Sequence, residues 1–77
     1  MPQTVDELMD LAARRFKRER AALVAAGDVF DSLGVDSLQV MELLTELELH
    51  FDVEIPDYEL REVRTFEQLA QCIDRRR

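Results

Sequence analysis

Asp36-Ser37-Leu38-Gln39-Val40-Met41-Glu42-Leu43-Leu44-Thr45-Glu46-Leu47-Glu48-Leu49-His50-Phe51 is the stretch on which the fold turns. Asp36 and Gln39 have capping-box spacing, the acid accepting from an orphan amide of the first turn while the Gln side chain reaches back. No Gly or Pro interrupts the stretch, so it predicts a helix to about His50 or Phe51. At roughly 100° per residue, Val40, Leu43, Leu44, Leu47 and Phe51 fall on one face, a core-facing stripe. Leu38, Met41 and Leu49 fall outside it, beside Glu42, Thr45 and Glu48, with Ser37 projecting near Met41 and Glu48. This helix has more apolar surface than a core needs. An apolar patch with an acidic rim beside a hydroxyl reads as a docking surface; the bland alternative is a loop folded over Leu38 and Met41.

Upstream, Thr4-Val5-Asp6-Glu7 has the form of another capping box, predicting a first helix that starts there. Val5, Leu8, Met9, Ala12 and Phe16 give it one narrow stripe, which Glu19 breaks, so it ends near residues 18 to 20. From about Arg20 to Val35 the period is lost and Gly27-Asp28 and Leu33-Gly34 punctuate the chain. This reads as a long loop pinned by Phe30 and Leu33. Downstream, Ile55-Pro56 must be extended, because a residue before Pro avoids the α region. Asp57 then caps a short turn through Leu60. Thr65-Phe66-Glu67-Gln68 is a third capping box, opening a last helix with Phe66, Leu69, Ala70 and Ile73 on its stripe and Arg75-Arg76-Arg77 at its end. No strand-like alternation occurs. The expected fold is all-α: a four-helix up-and-down bundle of three long helices and one short one, with a long first loop.

The 77 residues predict a single domain, residues 1–77. The longest apolar run, Ala21 to Ala26, is far too short for a bilayer, and the acidic start from Met1 to Asp10 lacks the layout of a secretory signal. A cytoplasmic monomer without a membrane role is expected. One Cys and one His exclude an internal disulfide and a structural zinc site. A core of this size leaves little chain to wall a catalytic pocket, so a carrier, binding or adaptor role is expected over an enzyme, with no catalytic residues and no metal. A Ser-His-Asp site would need an oxyanion hole that the length hardly permits. His50 and Cys72 read as a solvated imidazole and a semi-buried thiol.

Net charge is −7, and it is segregated: from Asp28 to Glu59 there are ten acids and no Lys or Arg. That block favours basic protein surfaces and repels nucleic acid phosphate. The positive segment Arg14, Arg15, Lys17, Arg18 and Arg20 reads as a solvated helix end interacting with its own dipole.

Ser37 sits in the first turn of the central helix, where unpaired amides and the helix dipole favour an attached phosphate. Asp-Ser-Leu alone is weak, being ordinary capping chemistry. In context, however, Leu33-Gly34-Val35-Asp36-Ser37-Leu38, the helix Gln39 to Phe51 and then Ile55-Pro56-Asp57 resemble the acyl carrier protein family. The likeness covers nearly the whole chain, including the long loop and the short helix. The resemblance implies that Ser37 carries 4′-phosphopantetheine, installed from coenzyme A by a magnesium-dependent phosphopantetheinyl transferase, with Asp36 completing the motif. It implies acyl groups held as thioesters and presented to acyl-loading, condensing and acyl-processing or transfer enzymes. Leu38, Met41, Glu42, Thr45 and Glu48 match positions used for partner recognition; Val40, Leu44, Leu47, Phe51 and Ile55 match core positions. Asp31-Ser32-Leu33 repeats the tripeptide five residues earlier, but loop follows Ser32 and a helix follows Ser37.

Gln39, Leu49 and His50 stand where the most acidic fatty-acid carriers have further acids, and Arg61 and Arg64 place positive charge near the short helix. The expectation is a discrete carrier of polyketide or related specialised metabolism over bulk fatty-acid synthesis. A peptidyl or aminoacyl carrier is an alternative within the same fold. An unmodified acidic helical adaptor that binds basic proteins is an alternative from a different class. A thin core and a long first loop also predict that an attached acyl chain slips between the helices and stabilises the fold.

Overall fold

The computed structural model describes residues 3–77, with the side chain of Gln3 left aside. Five α-helices follow one another: α1 (Gln3–Phe16), α2 (Val29–Leu33), α3 (Ser37–Phe51), α4 (Asp57–Leu60) and α5 (Phe66–Arg76), with a 3₁₀ turn at Arg20–Ala22. Three are long and two are single short turns, an all-α bundle of the kind expected. The short α2 is an addition to the expected elements. Its signals are present in the loop: Asp28 caps it by accepting from the Asp31 amide at 3.0 Å, and Gly34 closes it at φ 65°. Five residues are too few to display a helical period, and so the segment reads as loop.

Thr4 is not a cap. It lies inside α1 and is buried, and its hydroxyl donates to Asp74 of α5 at 2.5 Å while Arg77 donates to it at 3.1 Å. α1 ends earlier than the stripe predicts. Lys17 turns left-handed at φ 55°, and the Arg18 amide reaches back to the Ala13 carbonyl at 2.8 Å, an end motif that usually takes Gly and is disguised here by Lys. Likewise Pro56 precedes α4 with no side-chain cap, so Asp57 is its first residue. The other two boxes form as predicted, Asp36 with Gln39 and Thr65 with Gln68.

α1 and α5 form the most extensive helix pair. Leu8, Ala12, Leu43, Leu47, Phe66 and Ile73 occupy the centre, each fully buried. Cys72 is buried as well, more than its place beside the stripe implies. The long loop is held by Leu23, Val29 and Leu33, while Phe30 is only half-buried. Backbone bonds fasten it to the α4–α5 connection: Val29 donates to the Arg64 carbonyl at 2.7 Å, and Asp28 and Thr65 form an isolated antiparallel bridge. Among the described residues no helix is long and apolar enough to cross a membrane.

Candidate functional site

The start of α3 leaves polar groups without partners. Asp36 Oδ1 accepts from the Gln39 amide at 2.9 Å, and Gln39 Oε1 accepts from the Asp36 amide at 3.1 Å. The Val40 amide takes the Asp36 carbonyl at 3.0 Å. Those bonds fix the first turn without using Ser37. Among the described residues neither the Ser37 hydroxyl nor the Ser37 and Leu38 amides find an intrachain partner, and Ser37 is exposed. Such a turn, at the head of a fifteen-residue helix, offers two free donors and a positive dipole end to an anion. Ser32 is different. It is half-buried inside α2, with its Oγ packed so closely on Gly27 that a methyl group there would come within 3.0 Å.

Ser37 also stands at the mouth of a cavity of about 250 Å³ between α2, α3, α4 and the start of α5. Buried Val29, Leu44 and Leu69 form its floor, and half-buried Phe30, Val40 and Leu60 its walls. Exposed Ser37, Met41, Arg61 and Arg64 form the rim. In the sequence the two arginines stand out only as departures from an acidic pattern, and nothing there assembles this cavity. Its lining comes from four elements, and no single periodicity reports such a meeting.

The predicted docking residues divide. Leu38 (71% exposed), Met41 (44%) and Glu42 lie on the first two turns, uncovered by the loop. Thr45 is exposed, its hydroxyl donating to the Met41 carbonyl at 3.2 Å. Glu48 is half-buried, and its carboxylate accepts from the Ile55 amide at 2.8 Å, holding the extended segment that follows the helix. Leu49 is 80% exposed but about 18 Å along the axis from Ser37, at 1.5 Å per residue. Val40 is half-buried; Leu44, Leu47, Phe51 and Ile55 are buried, as core positions require.

Residues 6–73, most of the chain, match the family described as phosphopantetheine attachment site. The chain belongs to the phosphopantetheine-attachment family. It is similar to an acyl carrier protein of Syntrophobacter fumaroxidans (36% identical over 63 residues, 82% of this chain and 78% of that one). A Campylobacter jejuni subsp. doylei acyl carrier protein is 32% identical over 71 residues, 92% of each chain. The chloroplastic acyl carrier protein 2 of Arabidopsis thaliana is 30% identical over 73 residues, 95% of this chain but 54% of its own length. Membership makes this chain an acyl carrier with a phosphopantetheine attachment domain, a carrier and not a catalyst, whose prosthetic group is covalently bound 4′-phosphopantetheine. It also implies dealings with a phosphopantetheinyl transferase and with acyl-handling enzymes in general. The start of α3 fits such a group: an exposed, unbonded hydroxyl for the ester, open amides for the phosphate, and an apolar cavity alongside.

Proposed function

We propose that Ser37 Oγ carries the arm and that residues 1–77 act as one monomeric cytoplasmic carrier domain for a polyketide or related specialised pathway. The observation that supports this best is the unsatisfied first turn of α3, where Asp36 and Gln39 cap the helix and leave the neighbouring hydroxyl free. The arm's terminal thiol holds acyl groups as thioesters. The chain's own part is to present the serine to the transferase, to keep the turn rigid, and to offer α3 to successive enzymes. Tethering then replaces free diffusion by a high local concentration at each partner.

Leu38, Met41, Glu42 and Thr45 serve as the gripping surface, with Glu42 its free charge and Glu48 at its far end. Gln39, Leu49, His50, Arg61 and Arg64 dilute the acidic character of a bulk fatty-acid carrier and favour partners of more mixed charge. Incubation with coenzyme A, magnesium and a broad-specificity transferase should add one phosphopantetheinyl mass. Ser37→Ala should abolish the gain, and Ser32→Ala should leave it whole. A gain that persists in Ser37→Ala moves the arm to another residue. No gain with several transferases leaves the unmodified adaptor as the better reading.

A further inference from the structure

Resting on the assignment of the arm to Ser37, we propose that Arg61 and Arg64 select acyl groups that end in a carboxylate. The acyl body lies in the apolar cavity, and its terminal carboxylate meets the two guanidiniums at the rim. Three observations carry this. First, the cavity is lined by no acid, in a chain of net charge −7 whose residues 28–59 include no cation at all. Second, among the described residues the only charges on its rim are these two guanidiniums, and neither meets a carboxylate. Of the other arginines, Arg15, Arg20, Arg75 and Arg76 each pair with a carboxylate, and Arg18 and Arg77 donate to the Leu33 carbonyl and the Thr4 hydroxyl. Arg14, also without an ion pair among the described residues, shares its surface with Asp10. Third, Ser37 and both arginines stand on the same rim of this cavity of about 250 Å³, so a group tethered at Ser37 can set an apolar body inside and a charged end at the mouth.

Two other uses of the arginines make different predictions. If their aliphatic stems merely cover apolar surface, the charge of the cargo is irrelevant. If they hold the phosphodiester of the arm, they respond before any cargo is attached. The Ser37 and Leu38 amides, open at the helix start, already offer donors to that phosphate. A planar guanidinium matches a carboxylate through two parallel hydrogen bonds, which a plain acyl chain cannot return.

The test loads the protein from the coenzyme A thioesters of glutarate and pentanoate, five-carbon groups with and without the terminal carboxylate. A tethered group held at about five times its dissociation constant raises Tm by about 4–8 °C in a domain of this size. The glutaryl form should melt above the pentanoyl form by that margin, and the Arg61 and Arg64 Nε resonances should move on glutaryl loading. The gap should close in Arg61→Gln/Arg64→Gln and persist in part in Arg61→Lys/Arg64→Lys. Equal melting of the two forms overturns the proposal, as does a gap that survives the Gln pair. A resonance shift already complete in the holo form assigns the guanidiniums to the phosphodiester and overturns it as well. The mass spectrum separates this failure from that of the Ser37 assignment: an unloaded Ser37 sinks both, a loaded one without discrimination sinks only the cargo.

Discussion

α3 and α5 open with the same capping box and treat the amides beside it in opposite ways. At the head of α5, the Phe66 amide donates to the Gly27 carbonyl at 3.4 Å and the Glu67 amide to the Ala25 carbonyl at 2.9 Å, while Gln68 is served by Thr65 Oγ1 at 3.1 Å. The long loop seals that end. At the head of α3 the box satisfies Gln39, and the Ser37 and Leu38 amides face solvent. The same box geometry, built on a carboxylate at Asp36 and on a hydroxyl at Thr65, therefore makes a structural joint in one place and leaves open donors in the other. The outcome turns on whether tertiary structure arrives to occupy them.

The comparison is broken most violently at the sealed end. Phe66 is fully buried at the junction of α5 and the loop, and Phe66→Ala should cost about 3–5 kcal/mol. A domain of this length commands little more than that in total. Urea titration followed by circular dichroism should find the variant largely unfolded at 25 °C. A midpoint within reach of the parent's would mean that the loop, and not Phe66, seals the joint.

Cap removal sharpens the contrast with a smaller effect. Thr65→Ala and Asp36→Ala should each lower stability by about 1 kcal/mol, since each frees one first-turn amide. Only Asp36→Ala should also slow transfer of the arm, because it loosens the turn that presents Ser37. Equal transfer rates in the two variants would reduce Asp36 to a helix cap.

Much of this is legible from residue order because caps and stripes are local. Asp36 with Gln39, Thr65 with Gln68, and the buried set from Leu8 to Ile73 need only neighbours within a turn or two. The corrections share a cause in distance. Thr4 has the spacing of a cap, but Asp74, seventy residues away, takes its hydroxyl. Glu48 has the place of a free surface charge, but the Ile55 amide uses it. The cavity needs four elements to meet, and the end of α1 is hidden because Lys17 adopts a conformation usually given to Gly.

A weaker effect joins α4 to the end of α5. Glu59 lies against Arg75 and Arg76, and the Arg76 hydrogen bond, aided by the charges of both arginines, holds its carboxyl below the usual carboxylate range. A depressed folded-state pKa contributes stability that is full above the unfolded value of about 4.3 and is lost as pH falls through the lower folded one. The stability difference between the parent and Glu59→Gln should therefore be constant near neutrality and vanish in acid. A difference that grew on acidification would reverse the sign of this linkage.

The smallest change in stability tests the most about use. Leu38 and Leu49 are both exposed leucines on α3, and truncating either to Ala should alter stability by less than about 0.5 kcal/mol. If α3 were gripped along its whole length, the two would matter equally to partners. The open donors are at one end only, and Leu38 adjoins them while Leu49 lies about 18 Å away at 1.5 Å per residue. With the arm on Ser37 as proposed, a transferase brings its active site there and buries surface around the first turns before it reaches the last. Leu38→Ala should raise the KM for this protein severalfold with kcat little changed, the signature of lost binding common to ground and transition states. Leu49→Ala should leave both near the parent's. Equal losses would extend the grip to the far end of the helix, where Glu48 is already bound to Ile55.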